Sequence, residues 1–239
     1  MKIVRFLAFA LTVAPLATQA QTIQVNKDNR TIAITATASV IAMADTASVH
    51  IGFITYGIDK DSAYASGASL SNSIIKALTT AGIPSDAIES ENQNVSPVQD
   101  YQVDKLTPAE KAQRKFQVTQ SWTIRANASD AAKILDLAVK AGANQSGQID
   151  WSLKDENAPQ AEAAAKALQR ARAVAGEMAS GLNVKLGTLI YASNETQAQP
   201  PVPLMRAMAA PMADKAQPLA INPRRIEKSA TVYAVFAIE

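Results

Sequence analysis

The chain has 239 residues, one histidine, no cysteine, and 23 Lys+Arg against 21 Asp+Glu. Without cysteine there are no disulfides, no thiol catalysis and no thiolate metal sites, so the fold must rest on its core. A formal charge of +2 with no clustered basic run offers no footprint for nucleic acid, which recognises concentrated positive charge.

In chain order, residues 1–20 read as an export signal. Lys2 and Arg5 precede an apolar run over residues 6–16 that is shorter than a membrane span, and Thr18-Gln19-Ala20 has the small-x-small form of a cleavage site. The mature chain is therefore expected to start at Gln21, and the protein is expected in the periplasm. No cysteine follows the cut to carry a lipid anchor, and no later run is apolar enough to cross a membrane. Taking Lys2 and Arg5 from the 23 basic residues leaves 21, equal to the acidic count.

Alternation of apolar and polar residues predicts strands at 31–38 and 47–58, separated by a turn near Asp45. Period then changes. Tyr64, Ala68, Ser71, Ile74, Ile75 and Leu78 predict a helical stripe over 59–81, closed by Gly82 and Pro84. Residues 88–98 read as extended. Residues 97–114 form a polar connection with a short helix at 108–111. The cleanest strand is 115–126, where Phe116, Val118, Trp122, Ile124 and Ala126 alternate with polar residues, the mark of a sheet with one buried and one wet face. A second helix runs from Ser129 to Gly142, and a strand follows at 148–154.

The longest element is predicted near residues 158–181. Ala161, Ala164, Leu168, Ala171, Ala175, Met178 and Leu182 recur in steps of three and four, Asn157 and Pro159 suit its first turn, and Gly181 its end. Its polar side carries Glu162, Lys166, Gln169, Arg170, Arg172 and Glu177. Strands follow at 184–193 and 228–238. Between them, residues 197–225 are rich in Pro, Ala, Met and Gln and read as a mobile insertion in a hairpin.

Few residues suggest chemistry. His50 has no second histidine with which to share a metal or a proton relay, and Asp45 lies an odd step away on the opposite strand face, so a Ser-His-Asp triad has no support. Ser73-Ile74-Ile75-Lys76 matches the S-x-x-K pattern of serine acyl enzymes, but their companion Ser-Asp-Asn and Lys-Thr-Gly motifs are missing. Asp59, Lys60 and Asp61 mark a helix start rather than a carboxylate pair. Met205, Met208 and Met212 surround Arg206, and thioethers are Cu(I) ligands, which makes this segment the one speculative metal site.

Taken together, ITATASVIAMADTASVHIGF, KALTTAGIPSDAI, NVSPVQDY, LAVKAGANQSGQIDWSLKD and ALQRARAVAGEMASGLNVKLGTLIYASNE resemble, in order and spacing, the SIMPL-domain family of exported bacterial proteins. Two places depart from the usual pattern: a Val-x-Gly-type start is Ile34-Thr35-Ala36, and the common Pro-Asp is Ala44-Asp45. The resemblance spans nearly all of 21–239, implies no catalytic residue, and includes periplasmic proteins linked to oxidative-stress defence and a periplasmic immunogenic protein. The segment periods predict an α+β fold, a mainly antiparallel sheet of about seven strands with three helices. The resulting expectation is a non-enzymatic periplasmic homo-oligomer without cofactor, contributing to envelope or oxidative-stress tolerance. The alternatives are a small-ligand or copper binder and, behind it, a hydrolase with an unrecognised site.

Overall fold

The computed structural model describes residues 30–195 and 219–239. Its class is the one expected, mixed α and β with antiparallel pairing, but the seven strands divide between two sheets. β1 (Thr31–Met43), β7 (Arg225–Ile238) and β6 (Leu186–Glu195) form a three-stranded sheet in the order β1-β7-β6. β3 (Ile88–Pro97), β4 (Phe116–Asn127), β2 (Thr46–Gly57) and β5 (Ile149–Ser152) form a four-stranded sheet in the order β3-β4-β2-β5. The 197–225 insertion does connect two paired strands, β6 and β7.

Asp45 is where the chain passes from one sheet to the other. Just before it, the Ala44 amide donates to the Arg224 carbonyl at 2.9 Å, extending the β1–β7 ladder. Its own carbonyl accepts the Ala128 amide at 2.9 Å, and its carboxylate accepts the Lys154 amide at 2.7 Å and the Thr46 hydroxyl at 3.0 Å. One residue, through its carbonyl and its carboxylate, thus ties together the starts of β2, of the turn after β4, and of the crossing after β5. These bonds favour the ionised form and hold the Asp45 carboxyl below its ordinary range.

Each sheet is covered by helices on one face. α1 (Lys60–Thr80) and α4 (Ala131–Lys140) pack on the four-stranded sheet, and α5 (Asn157–Gly181) packs on β1 and β7. Two short helices, α2 (Asp100–Val103) and α3 (Pro108–Gln113), occupy the polar connection before β4, so the described residues hold five α-helices rather than the three expected. α1 starts with a capping box: the Asp59 carboxylate accepts the Ser62 amide at 2.7 Å while the Asp59 amide donates to the Ser62 hydroxyl at 3.2 Å.

The buried faces of α1 and α5 differ in phase from the predicted stripes. In α5 the buried residues are Ala163, Ala167, Ala171, Ala175 and Ala179, a strict four-residue step. Leu168 is only partly buried, Ala161 is exposed, and Met178 and Leu182 are 47% and 61% exposed. In α1 the buried residues are Ala63, Gly67, Ile74 and Leu78, and Tyr64 is 62% exposed. Along α5 and in the first half of α1 the contact line is made of small side chains, whereas Ile74 and Leu78 further along α1 are buried as predicted. A Cβ added to Gly67 would lie 2.8 Å from a Val118 methyl.

The end of α5 also differs. Gly181 remains helical, and the left-handed residue that closes the helix is Asn183, at φ 56°. The Val184 amide then reaches back to the Ala179 carbonyl at 3.0 Å. α1 and α4 close in the same way, with Gly82 at φ 92° and Gly142 at φ 112° and the next amide returning to Leu78 and Ala138.

Candidate functional site

Along β2, alternation sends Ala47, Val49, Ile51 and Phe53 towards α1 and α4, which leaves Ser48, His50 and Gly52 on the opposite, uncovered face. Register fixes what surrounds His50 there. Across one ladder it pairs with Thr123 of β4. Beyond Thr123, β3 has a bulge between Ser90 and Asn92 that inserts Glu91. On the other side lies β5, whose Asp150 is opposite Ser48. All four strands of the sheet therefore contribute one side chain to a single row.

The row is fully hydrogen-bonded. His50 Nδ1 stands 3.0 Å from Glu91 Oε1 and 3.0 Å from Thr123 Oγ1, and Nε2 stands 2.9 Å from Asp150 Oδ2. The Thr123 hydroxyl donates to Glu91. Gln148 Nε2 lies 3.5 Å from the same Asp150 oxygen. The His50 side chain is 29% exposed and the Asp150 side chain 63% exposed. Such an arrangement lets the ring donate to a carboxylate on either side. Both ring nitrogens are engaged, and the Thr123 hydroxyl is turned to a carboxylate. The two carboxylates lie at opposite edges of the ring, and among the described residues no three His, Asp or Glu side chains are grouped to hold a metal ion.

The other residues singled out in the sequence lie elsewhere. Asp45 is at the junction between the sheets. The Ser73 hydroxyl donates to the Ser69 carbonyl of its own helix at 2.9 Å, and Lys76 sits on the exposed side of α1. Asp59 caps α1. Met205, Met208 and Met212 fall outside the described residues. Glu91, Thr123 and Asp150 were not singled out. Their partnership with His50 depends on strand register, and for Glu91 on a bulge, neither of which a local pattern encodes.

Clefts among the described residues lie away from this row. One of about 640 Å³ lies at the end of the four-stranded sheet, with Arg125 and Lys154 beside Asp130 and a wall of Ile83 and Pro84. Another of about 450 Å³ runs between α1 and the β3–β4 ladder. A third of about 270 Å³ separates Leu168 of α5 from Ala192 and Asn194 of β6.

The sequence was compared with known proteins. Residues 32–236 match the model of the SIMPL family, described as proteins of unknown function (DUF541). The chain is 26% identical over 225 residues to the 26 kDa periplasmic immunogenic protein of Brucella melitensis biotype 1, covering 92% of this chain and 89% of that one. It is 25% identical, with the same coverage, to the protein of that name from Brucella abortus strain S19. No helix among the described residues is long and apolar enough to cross a membrane. A family match over both sheets and all five helices identifies the chain as a member of the SIMPL family.

Proposed function

We propose that this protein acts in the periplasm as a non-catalytic, self-associating component that contributes to envelope or oxidative-stress tolerance. The observation that carries the reading is end-to-end similarity to two proteins named as periplasmic. The leader-like segment at residues 1–20 agrees with it.

Self-association is supported by the three-stranded sheet. α5 covers one of its faces. The other presents Thr35, Thr37, Ile41 and Met43 of β1 beside Tyr233 of β7 and Tyr191 of β6, whose rings lie 6.3 Å apart. Ile41 is 63% and Met43 54% exposed, and β1 is an outer strand with a long row of backbone groups available to a second copy. Near-equal numbers of acidic and basic residues give copies little reason to repel.

Fractionation should place the protein in the periplasm with an intact mass beginning at Gln21; a cytoplasmic protein with its leader retained would refute the location. In sedimentation at micromolar concentration the protein should run as a homo-oligomer. Ile41→Asp should shift it towards monomer without changing the unfolding midpoint, whereas a monomeric wild-type protein would refute self-association. A deletion strain should be more sensitive to peroxide, and Ser73→Ala should restore it as well as wild type.

A further inference from the structure

We propose that His50, Glu91, Thr123 and Asp150 form a proton-operated clamp that fastens the short edge strand β5 to the four-stranded sheet. The argument is hydrogen counting. An ionised carboxylate only accepts, and a neutral imidazole has one N–H and one lone pair, whereas an imidazolium has two N–H groups. Both His50 nitrogens face carboxylate oxygens, at 3.0 and 2.9 Å. The ring therefore satisfies both carboxylates only when doubly protonated; on losing a proton it turns a lone pair towards one of them.

The contact that matters for β5 is the one to Asp150. Deprotonation takes the charge off the ring, so this contact falls from an ion pair to at most a neutral hydrogen bond, whereas Glu91 has the Thr123 hydroxyl as a second donor. Asp150 is the more exposed carboxylate, and its other nearby donor is Gln148 at 3.5 Å. β5 has four residues and pairs only with β2. The segment leading into it is held by the His50 amide donating to the Gln148 carbonyl at 3.0 Å. Weakening of the Asp150 contact acts on one of the shortest ladders among the described residues.

The charged surroundings are few. β3 contributes Glu91 and also Glu89, which is ion-paired with Arg125 of β4 at 3.6 Å. β5 contributes Asp150, β2 places Ser48 and Gly52 beside the ring, and α1 and α4 lie on the other face. The clamp is closed while the carboxylates are ionised and the ring is doubly protonated. It loosens when the ring loses a proton and again when a carboxylate gains one.

Amide hydrogen exchange on the tag-free, full-length purified protein tests this directly. Corrected for intrinsic rates, protection of β5 amides should fall about two- to five-fold between pH 5.5 and pH 8, the factor an exposed ion pair supplies, while the β1–β7 ladder stays constant. His50→Gln and Asp150→Asn should each abolish the fall. Because His50 is the only histidine, its ring resonances need no assignment, and their titration midpoint should move down in Asp150→Asn and in Glu91→Gln. These ring measurements decide the matter even if His50→Gln does not fold. A flat wild-type profile, the same fall in both His50→Gln and Asp150→Asn, or an unmoved midpoint would overturn the clamp.

Discussion

The two halves of the molecule use one plan, helices on a single face of an antiparallel sheet, with opposite choices of residue size. The four-stranded half fills its core with Ile51, Phe53, Trp122, Ile124, Ile134, Ile74 and Leu78, and the Phe53 and Trp122 rings meet at 5.9 Å. The three-stranded half sets Ala167, Ala171, Ala175 and Ala179 against Ile32, Ile34, Val232, Ala234 and Phe236. Large side chains gain stability by the apolar area they remove from water. A row of methyl groups gains less per residue but brings the helix close to the strands, where dispersion contacts accumulate. The first kind of core is sensitive to lost volume, the second to added volume.

That contrast can be broken experimentally. The largest effect is expected from Phe53→Ala, a fully buried ring deleted among large neighbours, at about 3–5 kcal/mol in denaturant unfolding; a loss below about 1 kcal/mol would mean that the four-stranded core does not depend on that volume. Ala171→Leu should cost about 1–3 kcal/mol through overpacking, and Leu168→Ala on the helix rim should cost less than Ala171→Leu. The reverse order would return the buried face of α5 to the stripe predicted from the sequence. Next comes the closure of α5. Asn183→Val forces a β-branched residue into the left-handed region at about 1–2 kcal/mol, while Asn183→Gly should be tolerated.

The smallest effects concern acid sensitivity. The Asp45, Asp59 and Glu110 carboxyls are each held low chiefly by a backbone amide, from Lys154, Ser62 and Thr107 respectively. A carboxyl lowered on folding contributes stability above its ordinary value and loses that contribution as pH falls through its folded value. The deficit of Asp59→Ala relative to wild type should therefore be full at pH 7 and shrink once pH drops below the ordinary value of 3.8. Thermal melts at pH 7, 4.5 and 3 would measure it, and a deficit independent of pH would remove the charge from the account. Asp45→Ala should behave in the same way while loosening the junction between the sheets.

Element type was legible wherever large apolar residues recur with a clear period, as in β4, α4 and the last strand. Phase was legible in part. Ile74, Leu78, Ala171 and Ala175 are buried as predicted, but near the start of α1 and along α5 the eye also follows Tyr64, Met178 and Leu182, which are exposed, because hydrophobicity ranks side chains by size while those contacts take small residues. The division into two sheets was hidden as well. Ala44-Asp45 looks like a turn, and only long-range bonds to Arg224, Ala128 and Lys154 reveal that the chain changes sheets there. For His50, the sequence shows a solitary imidazole. Its carboxylates are 41 and 100 residues away and are delivered by register.

The topology also sets an order of assembly. The strands of the four-stranded sheet and the helices packed on it all lie between residues 46 and 152, nested inside the three-stranded half, whose ladder pairs Thr31 with Ala237. Contacts this distant in sequence are slow to form, because a long loop must close before any of them is gained. The inner half can complete itself while β1 waits for residues 225–238, which follow the whole of that half in the chain. The final strand is thus the closing step of folding. Until it arrives, the first strand and the alanine face of α5 have no sheet to join.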